Sequence, residues 1–150
     1  RGMQSAALKI VPGERSAKPW DGHYDLRVDE NEWPLNELEH LLYIIKAQSL
    51  SNKGDKLLEQ GSVKEALDLW KEARALAPEQ TEIGFWQAVS LADSSETAEY
   101  SEEAAAILRE SLKERYNMKK WLDLIRRLED CGMIKNSEAV RQMISRSGLR

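Results

Sequence analysis

The chain has 150 residues, 41% of them hydrophobic and 32% charged, with a formal net charge of −4. That length suits one compact domain, or one domain with an extension, and the apolar content is enough for a core. An acidic balance argues against a nucleic-acid partner, and no uncharged apolar run approaches the roughly 20 residues that cross a bilayer.

Residues 1–33 and 34–150 differ in pattern. Gln4 to Val11 is short, partly β-branched and apolar at its end, which predicts a strand stopped by Pro12-Gly13. Glu14 to Lys18 is polar and reads as loop, and Asp21-Gly22 as a turn. From His23 to Asp29, Tyr24, Leu26 and Val28 alternate with Asp25, Arg27 and Asp29, the period of a half-buried strand. Two strands alone are marginal in water. Either they pack on the rest of the chain, or they belong to a sheet whose other strands lie elsewhere; the second reading is preferred.

From Trp33-Pro34 the period becomes helical. Pro34 suits a first helical turn. Leu35, Leu38, Leu41, Leu42 and Ile45 form one apolar stripe. The pattern runs on through Leu57-Leu58 to Gln60, as one long helix or as two broken near Leu50 to Asn52. Gly61 ends it, and Ser62 with Glu65 forms an S-x-x-E capping box for the next helix. That helix turns Ala66, Leu69, Trp70, Ala73 and Leu76 inward and stops at Pro78. A third covers about Glu79 to Ala92, with Ile83, Trp86, Val89 and Leu91 facing in. Asp93 to Glu99 is a polar loop. Ser101 caps a fourth helix, with Ala104, Ala105, Leu108 and Leu112 inward. Asn117 opens a fifth that uses Trp121, Leu124, Ile125 and Leu128, and Gly132 closes it. Asn136 or Ser137 caps a short sixth through Val140 and Ile144, and Ser145 to Arg150 should fray.

A repeat underlies the helices. With Ala47 as the first position of a 34-residue unit, Gly54 and Ala66 fall at close-approach positions, with Ala73 as a third small site. Leu57 and Trp70 fill bulky positions, Gly61 makes the turn and Pro78 closes the unit. This resembles a tetratricopeptide repeat. Paired helices approach closely only where side chains are small, and large ones fill the gaps beside them. A second unit aligns Ala88, Leu91, Ala104, Leu108 and Ser111 if the loop near Ser94 to Glu99 inserts about four residues. The third is weaker, with Trp121, Leu128 and Gly132. The expected fold is mostly α: a TPR-like stack of about six helices at 34–150, preceded by a short β segment from an incomplete α+β domain.

Arg1-Gly2 with Gln4 to Leu8 resembles the RG-x-QSAAL strand near the end of the catalytic domain of an Ntn-hydrolase-like family. Asp25 to Asp29, then Pro34-Leu35 and Glu37-Leu38, resemble that family's DLRVDD…P-x-x-EL junction. Ala75 to Pro78 and Phe85-Trp86 match segments of its helical tail. The likeness implies that the chain is the C-terminal part of a larger Ntn-type amidohydrolase. Its nucleophile would sit on an exposed amino terminus, where its own α-amine serves as base, a role Arg1 cannot fill. Glu30-Asn31-Glu32 departs from the family's acidic-His-Pro stretch. The resemblance implies that Gln4, Ser5, His23, Asp25, Arg27 and Asp29 face the enzyme domain.

The chain's own chemistry is sparse. His23 and Asp25 lie two apart on one strand face, a spacing open to base or metal work but commoner as a surface pair. His40, among Glu37 and Glu39, reads as a solvated helix position, and two histidines so placed make no zinc site. Cys131 is the single cysteine, so no internal disulfide forms, and a reducing, cytoplasmic location is expected. At a helix C-terminus its thiol is not activated, and it reads as packing. No signal-peptide pattern, phosphate loop, GxSxG or CxxC is present. Trp70, Trp86 and Trp121 read as core, and Trp20 and Trp33 as packing between the β segment and the helices. No catalytic, cofactor or metal residue is assigned. The expected role is a helical binding or assembly module of the amidohydrolase; the alternative is a freestanding peptide-binding adaptor. Its partner is then the enzyme domain, another protein chain or a second copy. Strands that pair with each other as a self-contained hairpin would favour the adaptor.

Overall fold

The computed structural model describes residues 3–10, 24–112 and 118–148, within which side chains are described except at 8–10, 24–26, 30–31 and 118. In chain order the elements are β1 (Gln4–Ile10), β2 (Tyr24–Asn31), α1 (Pro34–Glu59), α2 (Val63–Leu76), α3 (Thr81–Asp93), α4 (Ser101–Ser111), α5 (Met118–Asp130) and α6 (Ser137–Ser147). The chain is therefore mostly helical, with six helices after a two-stranded sheet among the described residues. It divides into two compact units, Arg1–Ile45 and Lys46–Arg150.

In the first unit β1 and β2 pair antiparallel, with Ala6 opposite Val28 and Ile10 opposite Tyr24. A bulge follows, because Gln4 pairs with Asn31, so two steps on β1 span three on β2. Val28 and Leu38 are buried, and Pro34 sits buried in the first turn of α1. The expected stripe is narrower than its sequence period. Leu41, Leu42 and Ile45 are half-buried, but Leu35, in the first turn beside Pro34, is 74% exposed. The turn signals at Pro12-Gly13 and Asp21-Gly22, the Glu14 to Lys18 loop and Trp20 lie outside the described residues.

In the second unit α1 continues unbroken to Glu59, so neither Gly54 nor Leu50 to Asn52 interrupts it. The chain then reverses at Gly61, whose φ of +83° lies in the left-handed region where a side chain is strained. The pairing of α1 with α2 is set at Gly54. It is buried, and a methyl group there would run into the Cδ1 and Nε1 edge of Trp70 and approach the Ala66 carbonyl to 3.2 Å. Ala66, Trp70 and Ala73 are fully buried. The second pair meets at Gly84, where a methyl group would collide with the Ser111 side chain on α4. Ala88, Ala104, Ala105 and Leu108 then close the contact between α3 and α4. α6 packs against both α3 and α4, and α5 adds Ile125 and Leu128 to the same core.

Several side chains depart from the helical reading. On α3 the buried ring is Phe85 and not Trp86, which is 43% exposed. α3 is covered by α2, α4 and α6, so its burial extends round most of its circumference and a single stripe does not describe it. Trp121 is half-buried, its ring 4.5 Å from that of Phe85. The S-x-x-E box forms no side-chain cap: Ser62 holds the N-cap position of α2 with its backbone only. Ser101 is no cap either. Tyr100 occupies that position, and Ser101 is the first helical residue and fully buried. Cys131 is exposed, its Sγ 3.5 Å from the Leu128 carbonyl, because Gly132 at φ +79° turns the chain outward there. The tail does not fray after Ser145: α6 reaches Ser147, itself buried, before Gly148. Asn117 lies outside the described residues.

Candidate functional site

The residues expected to face a partner domain sit on the hairpin. Gln4 and Ser5 are exposed on β1. Arg27 and Asp29 are exposed on β2, either side of buried Val28, as strand alternation requires. The backbone register places Arg27 opposite Ala7 and Asp25 opposite Lys9. His23 lies outside the described residues, so its pairing with Asp25 does too. Trp33 is 54% exposed, and His40 is half-buried on α1. The hairpin thus offers alternating polar side chains and two outer strand edges that no third strand covers among the described residues.

Among the described residues of the helical unit lie two clefts that the sequence alone did not announce. The larger, about 620 Å³, is lined by Asp55, Glu59, Asp93, Glu96, Lys135 and Met133, among others. Burial pushes the Asp55 carboxyl up, and Glu59 adds to this, while the nearby Trp70 indole N–H opposes it. Asp93 is already committed. Its Oδ1 accepts the backbone N–H groups of Lys135 (2.9 Å) and Asn136 (2.6 Å), and the Asn136 side-chain amide donates to its carbonyl. An α3 carboxylate therefore caps α6, in place of a side-chain cap by Asn136 or Ser137. Among the described residues, no group of three or more His, Cys, Asp or Glu is placed to hold a metal ion.

The smaller cleft, about 380 Å³, lies where the end of α2 turns into α3 and meets the end of α4. Behind it runs a polar network through the first three helices. Arg74 Nη1 donates to Gln87 Oε1 (2.7 Å), and Gln87 Nε2 donates to Ser51 Oγ (3.0 Å) and to the Trp70 carbonyl (3.4 Å). Trp70 Nε1 donates to the Ser51 carbonyl at 3.0 Å. Gln87 is almost fully buried, and every polar end of its side chain is used. Sequence reading passed over Arg74, Gly84 and Gln87. A glycine and a glutamine inside a strongly apolar helix were the signals available, since each needs a packing or bonding reason to be there.

Comparison with family models, with curated proteins and with solved structures finds no match to this chain.

Proposed function

We propose that this chain is the non-catalytic helical binding and assembly module of an Ntn-type amidohydrolase. The observation that carries the reading is the pair of outer hairpin edges that no third strand covers among the described residues. The hairpin's strands of seven and eight residues form a sheet of two. Such a sheet gains stability when further strands join it, and open edges recruit them. The same two strands hold the QSAAL and DLRVD segments that resemble the end of an Ntn-type catalytic domain. Gln4, Ser5, Arg27 and Asp29, exposed on the two strands, are then the residues that meet that domain, and the helices bind or assemble.

A second reading, a freestanding peptide-binding adaptor, is favoured by the pairing of β1 with β2 within one chain. The intact mass of the native protein, purified from its source, separates the two. The first reading expects a mass well above 17.2 kDa, with sequence preceding Arg1. A native mass of 17.2 kDa overturns it and leaves the adaptor.

A further inference from the structure

The smaller cleft of the helical unit is lined by two residues with a buried donor that has no hydrogen-bond partner, Arg74 at Nε and Ser111 at Oγ. Arg74 reaches it from α2 with a side chain only 13% exposed. Its Nη1 is satisfied by Gln87, but its Nε is buried without a partner. The Glu110 carboxylate stands 3.7 Å from Nη2 on a side chain that is 56% exposed. That is one long contact, not the two-pronged pairing a guanidinium makes with a carboxylate. Burial pushes the Arg74 pKa down, and Glu110 only partly opposes it. A cation held this deep is expected to find closer compensation.

One further donor and a helix end border the same space. Ser111 lines the cleft from α4, and its buried hydroxyl has no partner. Gln80 and Thr81 line it from the start of α3, and Gln80, at the N-cap, makes no side-chain cap. The N–H groups of Gln80, Thr81 and Ile83 already donate to the Ala77, Glu79 and Gln80 carbonyls, so this end of α3 acts on the cleft through its positive pole. Glu79 and Glu110 stand at the same rim, which penalises an anion, a dianion most, until a glutamate moves aside.

From this convergence we infer that the α2–α3–α4 cleft binds one carboxylate, held by Arg74, Ser111 and the amino end of α3, with Glu110 swinging out as it enters. A small free acid and the carboxy terminus of a polypeptide share that chemistry. The inference uses only residues 74–111 and stands apart from the reading of the hairpin.

The test is a titration of the full ¹⁵N-labelled chain by NMR with N-acetylglycine and, separately, with its neutral amide. The acid should shift the backbone signals of Thr81 and Ser111 and the Arg74 side-chain signal; the amide and inorganic phosphate should shift them far less. Glu110→Gln should tighten acid binding by about threefold, the size of a partly exposed ion pair. Arg74→Gln should abolish it. Should that variant fail to fold, the acid–amide contrast and Glu110→Gln still decide. Equal shifts from acid and amide, no acid-specific shift at about 50 mM, or weaker binding by Glu110→Gln would each overturn the inference. A tripeptide with a free carboxy terminus that binds more tightly than N-acetylglycine assigns the ligand to a polypeptide; equal binding assigns it to a small acid.

Discussion

The two helical pairs of the second unit solve one problem in different ways. Where α1 meets α2, Gly54 makes room for an indole, and the ring both fills the gap and donates a hydrogen bond to the α1 backbone at Ser51. Where α3 meets α4, Gly84 makes room for a small side chain, Ser111, and the bulk beside it is apolar, from Phe85 and Leu108. The first contact is fixed by a large group with a polar end, so it has a defined register as well as a defined distance. The second is fixed by distance, and its register comes from the alanines and from α6 packed across both helices. A glycine within a helix costs about 1 kcal/mol against alanine, so each must return more than that through the approach it permits.

The largest expected effect tests the first contact. Trp70→Ala removes a fully buried ring and leaves the Ser51 carbonyl without that donor. It should destabilise by about 3–5 kcal/mol, read as a lower urea midpoint by far-UV circular dichroism. Trp86→Ala, on a ring 43% exposed, should change the midpoint far less. Equal losses would mean that the indole of Trp70 is no more structural than an exposed one, and the contrast between the pairs would collapse.

The next effect tests the second contact. Gly84→Ala improves helix propensity yet drives a methyl group into Ser111, a net loss of about 1–2 kcal/mol. Adding Ser111→Gly should restore part of that loss, because the two sites share one gap and their effects are not additive. The measurement is a double-mutant cycle on the urea midpoint. If the double variant is as unstable as the sum of the singles, distance at Gly84 is not what sets the pair.

How far each pair was legible follows from the same difference. Gly54, Ala66, Trp70 and Ala73 stood out because a repeat spacing relates them, and all four are buried, with Gly54 against Trp70 and the Ala66 carbonyl. The apolar positions of α4, Ala104, Ala105, Leu108 and Leu112, obey a simple period and are all buried. Phe85 and Trp86 could not be separated in that way. They are neighbours on a helix covered on several sides, and which ring turns inward depends on where α5 brings Trp121. The capping motifs misled for a related reason. Ser62 has the right spacing from Glu65, but a motif states what a side chain could bond, not the backbone angle at which the chain arrives. At Ser101 the preceding turn, with Ala98 at φ +57°, starts the helix so that the serine falls inside it. The cleft at Arg74 was illegible altogether, since its residues come from three helices and share no spacing.

The smallest effect probes the polar side of the first pair. Asp55 lies one residue past Gly54, and burial holds its carboxyl above the ordinary value of 3.8. A carboxyl raised in the folded state binds more protons there than in the unfolded chain, between the unfolded pKa and the higher folded one. Stability therefore declines as pH rises through that window, and at neutral pH the charged form carries a penalty that the neutral form lacks. Asp55→Asn removes the titration. It should raise the midpoint slightly at pH 7, by less than about 1 kcal/mol given how much water still reaches the group, and give no gain at a pH below the unfolded value. The nearby Trp70 indole N–H works the other way, because it favours the charged carboxylate. A variant less stable than the parent at pH 7 would show that this attraction outweighs burial. The indole would then be tied to α1 through the Asp55 side chain as well as through the Ser51 backbone, and the first pair would be still more polar in its register than the second.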